Sequence, residues 1–175
     1  MGSSKGSAWE REFAVMLSLW WSEGKEDDLF WRVLGSGGRA TNRGKKGKST
    51  AGGYGDITAT DHRGQALLNL CCFELKRGYN SATVQDLLDK PKNATYTSFL
   101  DQTKRAASLA GVPYWCLVHK RDRRHALVLT NVIVRSDTGC ILKDDWHPIK
   151  LMRLKDWLCI ETLNFFRSLN HENRS

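Results

Sequence analysis

The chain has 175 residues, 41% hydrophobic and 26% charged, proportions that suit one globular domain with a substantial core. A formal net charge of +8 and a pI near 9.4 favour an anionic partner, nucleic acid first. No apolar run reaches membrane-spanning length, no secretory pattern is present, and five scattered cysteines show neither zinc-ligand spacing nor an even disulfide set, so a reducing, cytoplasmic protein is expected.

In chain order, residues 7–22 read as the first helix. Ser7 stands at the N-cap position and Glu10 follows three residues later, the spacing of a capping box. Helical spacing also puts Glu10 on the inward stripe with Phe13, Ala14 and Leu17, so it either closes the cap or points toward the interior. Residues 29–34 are predicted to form a short strand. Gly35 to Gly55 holds eight glycines together with Arg39, Arg43, Lys45, Lys46 and Lys48, and almost no large apolar side chain. Such a segment cannot pack as core and is expected to be mobile: a solvated linker, or a loop whose cations close on phosphates.

The stretch from Gly55 to Gly78 organises the rest. Ile57 to Thr60 is β-prone, Asp61-His62-Arg63-Gly64 carries turn chemistry, and Ala66 to Leu75 is nearly continuous in apolar residues until Glu74. This reads as a hairpin whose second strand is buried on both faces. An ionised glutamate there is costly unless compensated. Glu74 and Lys76 are two residues apart, so a strand places both on one face, about 7 Å apart along the axis. Asp56 can converge on that face. The turn signal centres the hairpin near residue 63, whereas pairing Asp56 with Glu74 needs a centre near 65, so a bulge or a longer loop is expected. Two carboxylates beside a lysine suit a hard divalent cation, Mg²⁺ with Mn²⁺ able to substitute, and the hydrolysis of a phosphodiester. The plainer alternative is a surface ion pair between Glu74 and Lys76, which the apolar flanks oppose.

Beyond Gly78, Ser81 or Thr83 is placed as the cap of a short helix through Leu88. A longer helix is predicted over 98–110 with Gly111 as its stop, carrying Gln102, Lys104 and Arg105. Strands are expected over 114–118 and 126–130, joined by the basic tip Lys120 to Arg124. Ile133-Val134 and Cys140-Ile141-Leu142 suggest a further hairpin, and a terminal helix carries Trp157, Leu158, Leu163, Phe166 and Leu169 before a frayed tail at 171–175. The order implies an α/β single domain over 1–175, with a mixed central β-sheet flanked by helices.

Gly55-Asp56, followed 18 positions after the aspartate by Glu74-Leu75-Lys76, resembles the PD-(D/E)xK nuclease superfamily, with Gly55 where the name has proline. Lys5 to Phe13 is similar to the opening of the archaeal-type Holliday junction resolvases, a branch of that superfamily. The resemblance covers roughly residues 5 to 130. It implies a restriction-endonuclease-like fold and a Mg²⁺-dependent endonuclease resolving four-way junctions by paired incisions, hence a homodimer acting on branched or duplex DNA. The seven tryptophans and the unexplained C-terminal segment are candidates for its interface.

By that resemblance Glu10, Asp56 and Glu74 hold metal and Lys76 assists the nucleophile, with Glu12 as substitute for Glu10. Ser36, Arg39, Arg43, Lys45, Lys46, Lys48 and Arg77 would contact DNA, Ser36-Gly37-Gly38-Arg39 resembling the segment that precedes the metal aspartate in the resolvases. Gln102 would be an accessory residue by that resemblance, whereas its helix by itself reads as a solvated face. Two alternatives remain: another nuclease of the superfamily, cutting duplex or flapped DNA, and a non-catalytic DNA-binding protein on the same fold.

Overall fold

The computed structural model describes residues 3–33, 54–90, 92, 94–134, 139–144 and 147–172. Helix α1 (Ser3–Trp21) leads into β1 (Phe30–Arg32), which pairs antiparallel with β2 (Ile57–Ala59) in a two-stranded ribbon. Then come α2 (His62–Leu68), β3 (Cys71–Arg77), α3 (Asp86–Asp89) and α4 (Thr95–Ala110). β4 (Tyr114–Lys120), β5 (Leu127–Thr130), β6 (Cys140–Asp144) and β7 (His147–Arg153) follow, and α5 (Leu154–Trp157) and α6 (Ile160–Glu172) close the chain.

The main sheet has five strands in the order β3-β4-β5-β7-β6. β3 and β4 run parallel, and the connection through α3 and α4 supplies the long crossover that a parallel pair requires. The other neighbours are antiparallel, so the sheet is mixed and flanked by helices, as expected. Alternation along β3 sorts its side chains. Cys71, Phe73 and Leu75 join a core with Phe13 and Leu17 of α1 and Trp157 and Phe166 from the C-terminal helices. Cys72 joins the opposite core with Tyr96, Phe99 and Leu100 of α4. No helix among the described residues is long and apolar enough to cross a membrane.

Several elements depart from the sequence expectations. The expected hairpin between Ile57 and Leu75 contains a helix instead. Asp61 is its N-cap, its carboxylate accepting from the backbone N–H of Arg63 and Gly64, and the helix buries its own Gly64 and Leu67. A run such as Ala66 to Leu75 fits a buried helix end followed by a strand as well as one long strand, and periodicity alone does not separate the two. The helix removes the register conflict, because β2 pairs with β1 and not with β3. α1 starts at Ser3, so Ser7 and Glu10 lie inside the helix and no capping box forms there.

The short helix α3 begins after Gln85, which makes no side-chain cap bond, in place of a start at Ser81 or Thr83. α4 starts three residues before the expected Ser98 and ends at Gly111, whose φ of +70° is the left-handed conformation that glycine adopts without strain. Cys140 to Asp144 pairs with β7 and not with Ile133-Val134. The terminal helix is two helices, α5 and α6. The latter runs through His171 and Glu172, the first residues of the expected frayed tail.

Candidate active site

β3 is an edge strand of the five-stranded sheet, and the segment before β2 runs along its outer side. The backbone N–H of Asp56 donates to the carbonyl of Phe73 at 2.8 Å, and its carbonyl accepts from Val33 N–H at 2.9 Å. The Oδ2 of Asp56 accepts from the N–H of Leu75 at 2.8 Å. The carboxylate thus takes the place on the strand edge that a neighbouring strand's carbonyl would fill, and its position follows from β3 itself. Gly55 makes this approach possible. Its φ is +78°, and a Cβ there would stand 2.6 Å from the Phe73 carbonyl oxygen and 2.9 Å from Cys72 Sγ. Proline, fixed near φ −65°, cannot adopt that conformation, which explains the glycine at the position the superfamily name gives to proline.

Glu74 and Lys76 share the α4 side of β3, as the two-residue spacing requires. Glu74 is 4% exposed. Its Oε1 accepts from Lys76 Nζ at 2.9 Å and from Gln102 Nε2 at 2.5 Å. Lys76 Nζ also donates to Gln102 Oε1 at 2.8 Å, closing a triangle of carboxylate, ammonium and amide. The same ammonium lies over the Phe99 ring, 5.2 Å from its centroid. Gln102, on α4, is therefore brought to the site.

The electrostatics record how close the acidic groups are. Burial, then the Asp56 charge, push the Glu74 carboxyl up to about 7; Lys76 pulls it down, and Glu10 adds a smaller upward push. Burial, then the charges of Glu74 and Asp56, push the Cys72 thiol up to about 12. Asp56 and Glu74 thus act on one another and on Cys72. Glu10 reaches the group from α1 only through its field, because its Oε2 accepts from Arg32 Nη1 at 3.3 Å, and that guanidinium also donates to Ser7 Oγ at 3.1 Å.

Among the described residues no three His, Cys, Asp or Glu side chains are close enough to cage a metal ion, so Glu10, Asp56 and Glu74 do not form a three-carboxylate cluster. The donor chemistry nonetheless fits Mg²⁺, which takes one or two carboxylates and fills its remaining positions with water and substrate oxygens. Asp56 and Glu74 supply hard oxygens at a site where burial and mutual repulsion hold Glu74 near 7, and added positive charge would relieve that cost.

Of the expected DNA contacts, Ser36, Arg39, Arg43, Lys45, Lys46 and Lys48 lie outside the described residues. Arg77 is described. Its guanidinium donates to the Lys120 carbonyl at 3.1 Å and pairs with Asp122 at 2.6 Å, which ties it to the basic turn between β4 and β5. Sequence reasoning missed Arg32. It ends β1 opposite Ile57, beside Asp56, and only the β1–β2 pairing puts it there. It also missed His119, buried between Tyr96 Oη at 2.7 Å and the Gly78 carbonyl at 2.8 Å, a lone histidine in an apolar strand with no partner visible along the chain.

A family model described as phage putative PDDEXK endonuclease matches residues 2–155 of the chain. No curated protein matches it. No solved structure does either.

Proposed function

The chain belongs to the phage putative PDDEXK endonuclease family, and on that premise we propose that it cuts DNA with divalent metal at Asp56 and Glu74, four-way junctions being its substrate. The family makes it a nuclease of the PD-(D/E)xK superfamily with DNA as substrate. What supports the finer reading of the site is the arrangement at the edge of β3: Asp56 anchored on the Leu75 N–H, beside a buried Glu74 that Lys76 and Gln102 both contact.

Asp56 and Glu74 would hold Mg²⁺ or Mn²⁺, with Glu10 supporting the site from α1. Bound there, the ion supplies Lewis-acid stabilisation of the charge that develops on the scissile phosphate. Glu74 and Gln102 hold the Lys76 ammonium in one orientation, so its remaining N–H can donate to a phosphate oxygen or to the attacking water. Burial of Glu74 keeps bulk solvent from screening that contact. The basic set at 39–48 and Arg77 would add phosphate contacts, in keeping with the net charge of +8. The preference for junctions rests on the likeness of Lys5 to Phe13 to the resolvases, and paired incisions would need a homodimer. The three buried thiols Cys71, Cys72 and Cys116 suit a reducing, cytoplasmic setting.

The test is a cleavage assay on four-way junctions, flaps and linear duplex, with Mg²⁺ and without. The expected result is metal-dependent, paired cutting of the junction. Cutting confined to duplex or flap would replace the junction with a restriction-like or repair substrate. DNA binding without cleavage under any metal would leave a non-catalytic binder.

A further inference from the structure

A concavity lies on the flank of α1 away from Arg32, closed by the start of β5 and the β7–α5 junction, with a volume of about 210 Å³. Its floor is apolar: Met16 from α1, Ala126, and Leu154 and Leu158 around α5. Trp9 lines it as well. That residue is 3% exposed, and its indole N–H has no hydrogen-bond partner among the described residues.

The rim is polar and mostly basic. Arg153, Lys155 and His125 stand exposed at the mouth, and their side chains make no hydrogen bond or ion pair among the described residues. Lys120 adds a fourth basic group, its Nζ bound to the Arg124 carbonyl at 3.0 Å, and Glu12 is the one carboxylate present. The mouth opens at the end of the sheet that carries Lys76. Lys120 is paired with Arg77 across β3 and β4, and Leu127 is paired with both His119 and Arg153.

We propose that this concavity is a nucleotide-binding pocket that receives one nucleotide of a bound DNA strand. The apolar floor, with the Trp9 ring beside it, takes the base, and Arg153 with Lys155 holds the phosphate. A bare phosphate would use the rim and leave Met16, Ala126, Leu154 and Leu158 uncovered, while an uncharged apolar ligand would leave the cations without purpose. Glu12 supplies an acceptor for an N–H of the base, N3–H in thymine. The pocket lies on the α1 side of the sheet and Glu74 on the α4 side, but both stand toward the same end, so a strand wrapping around that end reaches both. The DNA source of the nucleotide rests on the nuclease reading; the chemistry of the pocket does not. A free mononucleotide has the same chemistry, and the experiment separates the two.

The full-length protein, kept free of divalent metal, is titrated with thymidine monophosphate, thymidine and inorganic phosphate while the tryptophan indole N–H resonances are followed. The monophosphate is expected to shift one indole resonance, that lost in Trp9→Phe, and to bind more tightly than the other two probes. The double variant Arg153→Ala/Lys155→Ala should weaken it by roughly ten-fold, as for lost charge-assisted hydrogen bonds. Equal or absent binding of the three probes overturns the pocket, as does binding that the double variant leaves unchanged. A single-stranded oligodeoxynucleotide that displaces the monophosphate assigns the site to a DNA strand. Failure to displace it, with the monophosphate still bound, overturns that source and leaves a free nucleotide as the ligand. No cleavage enters the readout, so a failed nuclease assay and a failed pocket are told apart.

Discussion

On the α1 side of β3, Phe73 stands between Phe13 and Trp157, with ring centroids 5.7 and 5.9 Å away. One residue later, on the α4 side, Glu74 is equally enclosed but held by Lys76 and Gln102. Both residues are nearly out of reach of water, at 1% and 4% exposure, and the consequences are opposite. Burying the ring releases water from apolar surface and stabilises the fold. Burying the carboxyl raises the cost of its charge, and its neighbours repay only part of it. The strand thus gives up on its α4 face some of the stability its α1 face contributes, a contrast that singles out the α4 face as the candidate site.

The largest effect should come from charge. Asp56→Asn or Glu74→Gln is expected to abolish cleavage while DNA binding survives, measured by gel assays of cutting and binding on the same substrate. Wild-type rates at saturating Mg²⁺ in either variant would remove the proposed site.

Glu10→Gln sharpens the comparison from the third side. Inside α1 it cannot act as a cap, so the change should leave the melting temperature of the metal-free protein nearly unaltered while cleavage falls by orders of magnitude and raised Mg²⁺ or Mn²⁺ restores part of it. Near-normal cleavage would confine Glu10 to its pairing with Arg32.

On the other face the readout is stability. Phe73→Ala should cost about 3–5 kcal/mol in denaturant unfolding, as for a large aromatic removed from a packed core. A loss below 1 kcal/mol would mean that the Phe13–Phe73–Trp157 cluster is not a principal support of the fold.

The smallest effect, and the most specific, is in pH. The Glu74 carboxyl sits at about 7 in the folded protein against 4.5 as its ordinary value, so the native state binds the extra proton between those limits. Stability from this group is therefore complete below about 4.5 and is lost as pH rises through about 7, by on the order of 3 kcal/mol without metal. Unfolding of the metal-free protein across that range should show this slope, and Glu74→Gln should flatten it. An unchanged slope in the variant would assign it to other groups.

The grouping of charged side chains at the candidate site was legible along the chain because it depends on local periodicity. Glu74 and Lys76 share a face in any strand, an apolar run shields them, and Asp56 lies at the head of a neighbouring β-prone segment. The mixed α/β class, the helix ending at Gly111 and the β4–β5 pair rest on the same local signals. Tertiary structure alone decided the rest, because the deciding partners are far apart in sequence. Whether Ala66 to Leu68 is helix or strand depends on the Asp61 cap and on what Gly64 and Leu67 cover. Asp56 reaches Glu74 by binding the free edge of β3, a position no hairpin arithmetic supplies. Gly55 is demanded by a carbonyl 18 residues away, at Phe73, and Glu10 turns to Arg32 because β1 lies beside α1. Spacing determines which side chains can face together; only packing determines what they meet.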